Sequence, residues 1–261
     1  MRCASPFPWQ SSACTDVGRV RLRNEDACLD LPGRGLWAVA DGMGGHALGD
    51  YASQAVVAAL AALPAPATLR DALRDARAAL QQVNQALLDE AARRRVPCIG
   101  STVVVLLACG PRRACRCACL WAGDSRLYVL RDGHLSRITH DHNRAEELRA
   151  RRLITAGQAR HHPAQNLVTR ALGAAATLET EEREIEADAG TVFLLCSDGL
   201  SNELCDEDIA SILAACGDDC AQAARALVQA ALERGGSDNV SAVVVRAGEA
   251  GLPAGPLPDS A

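Results

Sequence analysis

Apolar and polar positions change rhythm along this chain, and each change marks an element. From Cys14 to Leu22 they alternate, which predicts a strand with Arg21 on it or at its end. The runs ACLDL and LWAVA flank Pro32-Gly33-Arg34-Gly35 and predict a hairpin. Ala47 to Leu63 reads as a helix closed by Pro64. Thr68 and Asp71 then have capping-box spacing, with Asp in the acceptor place. Leu69, Leu73, Ala76, Leu80, Val83 and Leu87 follow at three- and four-residue steps, the stripe of a long helix that buries one face and ends near Arg95 and Pro97. STVVVLLAC and RACRCACLWAG, divided by Gly110-Pro111-Arg112, predict a second hairpin. RLYVL and HLSRI, divided by Asp132-Gly133, predict a third. His140 to about Gly157 is polar and expected to be helical. NLVTRALG, LETEEREIE and TVFLLCS are expected to return to sheet. Asp206–Ala215 and Asp219–Glu233 read as helices with acids near their starts, and NVSAVVVRA as a last strand.

Consecutive strands with no helix between them exclude a doubly wound parallel sheet. A strand set this large is expected to split into two packed sheets, with the long helices outside, giving a layered α/β sandwich. No internal repeat or linker interrupts it. Residues 12–247 are expected to form one domain, with residues 1–11 and 248–261 as flexible termini.

Composition narrows the classes. The chain has 261 residues, 49% of them apolar, and a net charge of −5. That is enough for a sizeable core, and the charge argues against a nucleic-acid or anionic-membrane partner. The twelve cysteines lie mostly inside apolar runs (Cys28, Cys109, Cys119, Cys196, Cys205, Cys216), in a chain long enough not to need disulfides. Cys115, Cys117 and Cys119 would share one strand face; with no C-x-x-C pair, small buried hydrophobes are the preferred reading over a metal or redox site. The first residues carry no apolar signal region, and no window approaches eighteen uncharged apolar residues. A soluble, reducing, cytoplasmic setting is the expectation.

The chemistry sits where the apolar runs end. LWAVA runs into Asp41, after which three of the next four residues are glycine. CLWAGD ends on Asp124 and VFLLCSD on Asp198; Asp238 precedes NVSAVVV, and Glu25 and Asp26 precede ACLDL. Any one of these acids could be a cap, a turn former or a surface charge. Several carboxylates at one sheet end, however, need cations between them. Every candidate donor is oxygen, which suits Mg²⁺ or Mn²⁺ rather than zinc or copper. Two such ions about 3.5–4 Å apart can hold a hydroxide and polarise a phosphoryl oxygen. Arg21 adds a planar fork that matches phosphate oxygens. Together they point to phosphate-ester hydrolysis.

TDVGRVRLRNEDA, VADGMGGH, GSTVVV, WAGDSRLYVL, ITHDH, NLVTRALG, LLCSDGL and GGSDNVSAVVV occur in the order seen in the metal-dependent type-2C Ser/Thr protein phosphatases, the PPM family. The chain resembles that family from about Thr15 to Val245, and its bacterial branch most. The resemblance implies a four-layer α-β-β-α sandwich of two mainly antiparallel sheets, with two Mn²⁺ or Mg²⁺ ions at one end and a third in some relatives. By resemblance, Asp41 bridges the ions, Asp198 and Asp238 complete one shell, the Gly42 carbonyl serves the other, and Glu25 and Asp26 act through waters. Asp124 with Asp198 matches the third-ion site, Arg21 binds the substrate phosphate, and Asn239 supports the loop carrying Asp238. Residues 142–173 match the variable flap. The implied reaction is direct in-line attack of a metal-bridging hydroxide on phosphoserine or phosphothreonine, opposing a bacterial Ser/Thr kinase, in a monomer. His46 is the candidate general acid, five residues after Asp41 where some relatives have a His two residues after. His140, His142, His161 and His162 match no zinc spacing and are expected to be flap or surface residues.

Three rivals share parts of this pattern. An aspartyl-phosphate enzyme built on Asp198 would want a second acid where Leu200 stands. A catalytically weak phospho-sensing module would have lost acids that are all present here. Same-fold regulators of stress or anti-sigma pathways usually lack the arginine that Arg21 supplies.

Overall fold

The computed structural model of the protein describes residues 9–44, 48–110, 115–159 and 162–248. Its strands are β1 (Trp9–Asp16), β2 (Asp26–Leu31), β3 (Leu36–Met43), β4 (Gly100–Ser101), β5 (Val103–Cys109), β6 (Cys115–Ala122), β7 (Arg126–Arg131), β8 (His134–Arg137), β9 (Glu181–Ala187), β10 (Val192–Cys196) and β11 (Val240–Ala247). The helices are α1 (Gly49–Ala61), α2 (Leu69–Arg94), α3 (Arg144–Ala150), α4 (Ala156–Ala159), α5 (Asp198–Ser201), α6 (Asp206–Cys216) and α7 (Cys220–Glu233). One sheet runs β1-β11-β10-β7-β8 and the other β2-β3-β5-β6-β9, with β4 beside β3. Every strand pair is antiparallel.

Strand periodicity builds the layers. On β3, Trp37 and Val39 point into the core between the sheets, where they meet Phe193, Leu127 and Val243. Ala38 and Ala40 point the other way, onto Leu60 of α1 and Leu80 and Leu87 of α2. Tyr128, Leu194 and Val244, on the outer face of the other sheet, pack under Ile209 of α6 and Leu227 of α7. These three cores make an α-β-β-α sandwich, because strands covered on both faces must be apolar at every position. Trp9 closes one end of the middle core edge-on to Trp37, with ring centroids 5.2 Å apart; such a pair adds about 0.5–1.5 kcal/mol beyond the area it buries.

Several expected elements moved. The first strand is Trp9–Asp16 rather than Cys14–Leu22, so residues 9–11 belong to a strand and not to a loose lead-in. Pairing decides this: β11 offers partners to Trp9 through Asp16, and Trp9 fills the core. Gly18, at φ +82°, then turns the chain, leaving Val20 and Leu22 exposed and Arg21 in a loop. The polar stretch from His140 is not one helix. Thr139, Asp141, His142 and Asn143 are buried, and α3 begins only after Asn143, whose side chain accepts from the Glu146 N–H. NLVTRALG forms no strand; it meets the rest of the fold through the single bridges Asn143↔Val168 and Ser101↔Leu172. The Thr68–Asp71 cap is present, and Asp132 and Gly133 both take positive φ at the β7–β8 turn. The Pro111-Arg112 turn lies outside the described residues. Cys115, Cys117 and Cys119 line the middle core as hydrophobes. Cys205 does not share that burial: it stands exposed at the start of α6 and bonds Asp208. Among the described residues no helix is long and apolar enough to cross a membrane.

Candidate metal centre

The antiparallel register places the first two acids. Asp26 on β2 lies directly across from Asp41 on β3, so both side chains leave the same face at the same sheet end. Thr102 fixes Asp41. Its hydroxyl accepts from the Asp41 N–H at 3.1 Å, its own N–H donates to the Asp41 carbonyl at 2.8 Å, and its Oγ1 lies 2.7 Å from Ser125 Oγ. That hydroxyl pair ties Asp41 to the β6–β7 turn, where Asp124 sits buried. The second sheet brings Asp198 at the first residue of α5 and Asp238 just before β11.

The loops carrying these acids touch backbone to backbone, and glycine is what permits it. A Cβ on Gly42 would stand 2.0 Å from the Gly49 carbonyl oxygen, and one on Gly199 would stand 2.1 Å from that of Asn239. Both neighbours are main chain and cannot swing aside. Gly199→Ala is therefore expected to lower stability by about 1–3 kcal/mol, read as a drop in Tm, with a parallel loss of Mn²⁺ affinity. An unchanged Tm would show that α5 is not held against β11 at this point.

Asn239 is the brace of the centre. Its Oδ1 accepts from the Glu25 N–H at 2.8 Å, while its Nδ2 donates to the carbonyls of Val17 and Arg23 at 2.9 and 2.8 Å. It thus holds the loop bearing Arg21 and Glu25, and its backbone N–H holds Asp238 Oδ1 at 2.8 Å. Arg21 Nη2 reaches Asp238 Oδ2 at 2.7 Å, yet the Arg21 side chain remains 54% exposed. The Glu25 carboxyl lies against Gly49 at the start of α1, where an added Cβ would stand 2.8 Å from its Oε2.

Electrostatically the cluster is unfinished. Burial, followed by the surrounding acids, raises Asp41 and Asp124 well above the usual carboxylate range and pushes Asp26 up to about 7. Asp198 is raised by the same causes, although the neighbouring Asp41 carboxyl and the Asn202 side chain oppose the shift. Asp41 and Asp198 keep partial solvent access, as side chains lining a narrow opening do. Two of the four buried side-chain polar atoms without a hydrogen-bond partner among the described residues are Asp26 Oδ1 and Asp198 Oδ1. A buried anionic oxygen with no donor is costly unless a cation meets it. The residues therefore fit hard divalent cations, with an all-oxygen donor set. Among the described residues no three acidic, His or Cys side chains already close on one point. The cluster is an open arc, and backbone carbonyls and water would complete any shell.

A cleft of about 600 Å³ opens from Asp124 and Asp198 and runs between Asn143, Glu146 and Arg149 on one wall and Asn202 to Asp206 on the other. Its arginines are already satisfied. Arg126 holds Asp141 through two bonds of 3.0 and 2.7 Å, Arg149 pairs with Glu146, and Arg234 with Asp208. Arg21, outside that cleft, keeps much of its fork toward solvent.

The fold thus brings Glu25, Asp26, Asp41, Asp124, Asp198, Asp238 and Arg21 to one place. His46, the candidate general acid, lies outside the described residues, as does His161. Three supports escaped the sequence reading. Thr102 is one; Ser197, whose hydroxyl donates to Asp26 Oδ2 at 2.7 Å and accepts from the Ser241 N–H at 3.0 Å, is another. The signal available for both was a hydroxyl residue inside or beside an otherwise apolar strand. The third is His142, which is buried, with its pKa lowered chiefly by burial, rather than a surface histidine.

Comparison with known proteins agrees with this geometry. The sequence pattern of the family described as Protein phosphatase 2C matches residues 18–237. The Serine/threonine protein phosphatase PstP of Mycobacterium tuberculosis is 39% identical over 234 residues, which cover 89% of this chain and 44% of that protein; the chain thus spans under half the length of that relative. The structure of PppA, described as a key regulatory component of T6SS in Pseudomonas aeruginosa, is 43% identical, with a TM-score of 0.83 over 92% of this chain and 97% of the other. The catalytic domain of PstP in complex with two manganese ions superposes with a TM-score of 0.81 at 36% identity, over 92% of this chain and 99% of that one. Sequence pattern, fold and the converging acids lead to one conclusion: this chain belongs to the protein phosphatase 2C family, the PPM class of Ser/Thr protein phosphatases.

Proposed function

We propose that this chain removes phosphate from phosphoserine and phosphothreonine in proteins, with residues 12–247, together with the start of β1 from Trp9, as the phosphatase domain and residues 142–173 as its flap. The observation that carries the reading is the set of carboxylates gathered from strand ends, turns and a helix start, two of them with orphaned buried oxygens, beside an exposed arginine. Asp41, Asp198 and Asp238, with the Gly42 carbonyl and with Glu25 and Asp26 through water, would hold two Mn²⁺ or Mg²⁺ ions. Asp124 and Asp198 would hold a third. When bound, such ions neutralise charge on phosphoryl oxygens and lower the pKa of water in the site. The carboxylates would hold the ions and the water between them, and Arg21 would bind and orient the substrate phosphate. His46 is a candidate donor of the proton that the leaving oxygen needs. Its substrates would be proteins phosphorylated by a bacterial Ser/Thr kinase, which the chain would oppose; the likeness to the Ser/Thr protein phosphatase PstP supports the phosphatase half of that reading. Phosphoproteomes with and without the protein would name its substrate.

The test is hydrolysis of p-nitrophenyl phosphate and of phosphothreonine peptides. We expect turnover with Mn²⁺ and none in excess EDTA; equal turnover in both would remove the proposal.

Arg21 separates substrate binding from metal binding. Its pair with Asp238 is half exposed, and such pairs contribute roughly 0–1 kcal/mol. A hydrogen-bonded contact to a charged phosphate contributes about 1.5–3 kcal/mol. Arg21→Ala should therefore raise KM for a phosphopeptide by about tenfold or more, with Mn²⁺ affinity by calorimetry changing much less. A larger fall in Mn²⁺ affinity than in substrate affinity would reassign Arg21 to the metal site.

A further inference from the structure

The ITHDH segment and the Asn143 that follows it belong to neither the metal cluster nor the phosphate contact, yet Asp141, His142 and Asn143 are buried and lie against the turn that bears Asp124. The last residue of the motif, His142, does the most. His142 pairs with both backbone groups of Gly123: the His142 N–H donates to the Gly123 carbonyl at 3.0 Å, and the Gly123 N–H donates to ring Nδ1 at 3.1 Å. Because Nδ1 accepts, the ring proton is on Nε2, which lies 3.2 Å from Glu181 Oε1 at the start of β9. Glu181 also takes Arg170 at 3.1 Å. The ring plane is fixed by a near-parallel stack on Trp121, with an interplanar angle of 12°. The His142 carbonyl accepts from the Thr169 N–H at 2.7 Å, which closes the base of the flap segment. The flanking residues grip the same turn: Thr139 Oγ1 accepts from the Leu127 N–H at 3.1 Å, and Asp141 holds Arg126.

The turn needs such a grip. Gly123 takes φ +112°, and a Cβ there would stand 2.5 Å from Thr102 Cβ, so its backbone is pressed against the residue that fixes Asp41. A small rotation about Gly123 would swing the Asp124 carboxylate away from Asp198.

We propose that His142 is a positioning residue: its Nδ1 locks the Gly123–Asp124 turn so that Asp124 faces Asp198, and its backbone ties that turn to the flap base. The proposal rests on the phosphatase reading for its consequence in turnover, but not for the lock itself. Three variants separate the parts of the ring. Asn at position 142 places an acceptor near the Nδ1 position, Gln places one near Nε2, and Leu supplies neither.

The first measurement is amide exchange at Gly123 in metal-free protein, by NMR. His142→Leu and His142→Gln should exchange faster than wild type, while His142→Asn keeps most of the protection. The second is Mn²⁺-dependent turnover. His142→Leu should lose about 10–100-fold, the usual range for a group that orients a ligand from behind, and His142→Asn should recover most of that loss. The third is a double-mutant cycle: in an Asp124→Asn background, His142→Leu should cost almost nothing more. Should the Leu variant not fold, the Asn and Gln pair carries the same comparison. Unchanged exchange at Gly123, equal losses in Asn and Gln, or a full loss on top of Asp124→Asn would each overturn the proposal. A wild-type chain without Mn²⁺-dependent turnover would instead defeat the phosphatase reading, and the exchange data would still decide the role of His142.

Discussion

Asp198→Asn is expected to abolish Mn²⁺-dependent hydrolysis of phosphothreonine peptides and to leave the chain folded. Asp198 stands at three junctions. It begins α5, its Oδ2 accepts from Asn202, and its Oδ1 is buried with no donor. Asn keeps the shape and the contact with Asn202, which now donates to Asp198 Oδ2 at 3.2 Å. What it loses is the negative charge that a divalent cation requires. Lewis-acid stabilisation of a phosphoryl transition state is worth several kcal/mol, and each 1.36 kcal/mol is tenfold in rate, so a loss of about 10³-fold or more is expected. Steady-state kinetics with Mn²⁺ in excess checks it, beside a thermal melt in EDTA. Retention of a tenth of wild-type activity would remove Asp198 from the centre. A collapsed melting transition would recast it as a residue of the fold.

The second large effect concerns stability without metal. Asp26 is pushed up to about 7, and Asp41 and Asp124 are raised well above the usual carboxylate range, in each case chiefly by burial, with the charge of Asp198 adding to it. In the unfolded chain an aspartate titrates near 3.9. Between those values the folded state holds more protons than the unfolded state, so stability falls as pH rises. The contribution is fully present below the unfolded pKa and is lost as pH climbs through the folded value. In EDTA the Tm should therefore be higher near pH 5.5 than near pH 8, by an amount reflecting a few kcal/mol. Mn²⁺ should reverse the slope by stabilising the ionised cluster most at pH 8. Asp41→Asn should raise the metal-free Tm at pH 8 and weaken the response to Mn²⁺. Calorimetry across this pH range with EDTA or Mn²⁺ decides it. A metal-free Tm that rises from pH 5.5 to 8 would mean that the carboxylates are already neutralised by groups of the chain itself.

Much of this was legible in one dimension, for reasons that can be named. The run LWAVADGMGG announces its own end, because an apolar strand cannot pass into acid and glycine without reaching the rim of a core. The stripe from Leu69 to Leu87 needs only the helical period to be seen. Asp132-Gly133 states its turn type through backbone sterics alone. The misplacements share a cause as well. Val20 and Leu22 alternate with arginines as on a strand, but the pairing with β11 ends at Asp16, and the alternation is left in a loop. NLVTRALG has the look of a strand and lacks a strand to pair with. His142 reads as one of several scattered flap histidines until Trp121, Gly123 and Glu181 close around it.

The linear order of residues by itself determined the layered antiparallel architecture, the identity of the acids and the kind of ion they suit. Periodicity, turn stereochemistry and ligand hardness are local properties, readable without knowing what lies nearby. Only the tertiary structure decided that Asp26 faces Asp41, that Asn239 braces the loop of Arg21, and that Asp26 and Asp198 each keep an oxygen with no donor. Those facts depend on strand register and on contacts between residues as far apart in sequence as Arg21 and Asp238. Such contacts form because buried polar groups must find partners wherever the fold delivers them, a constraint that acts in space and leaves little trace along the chain.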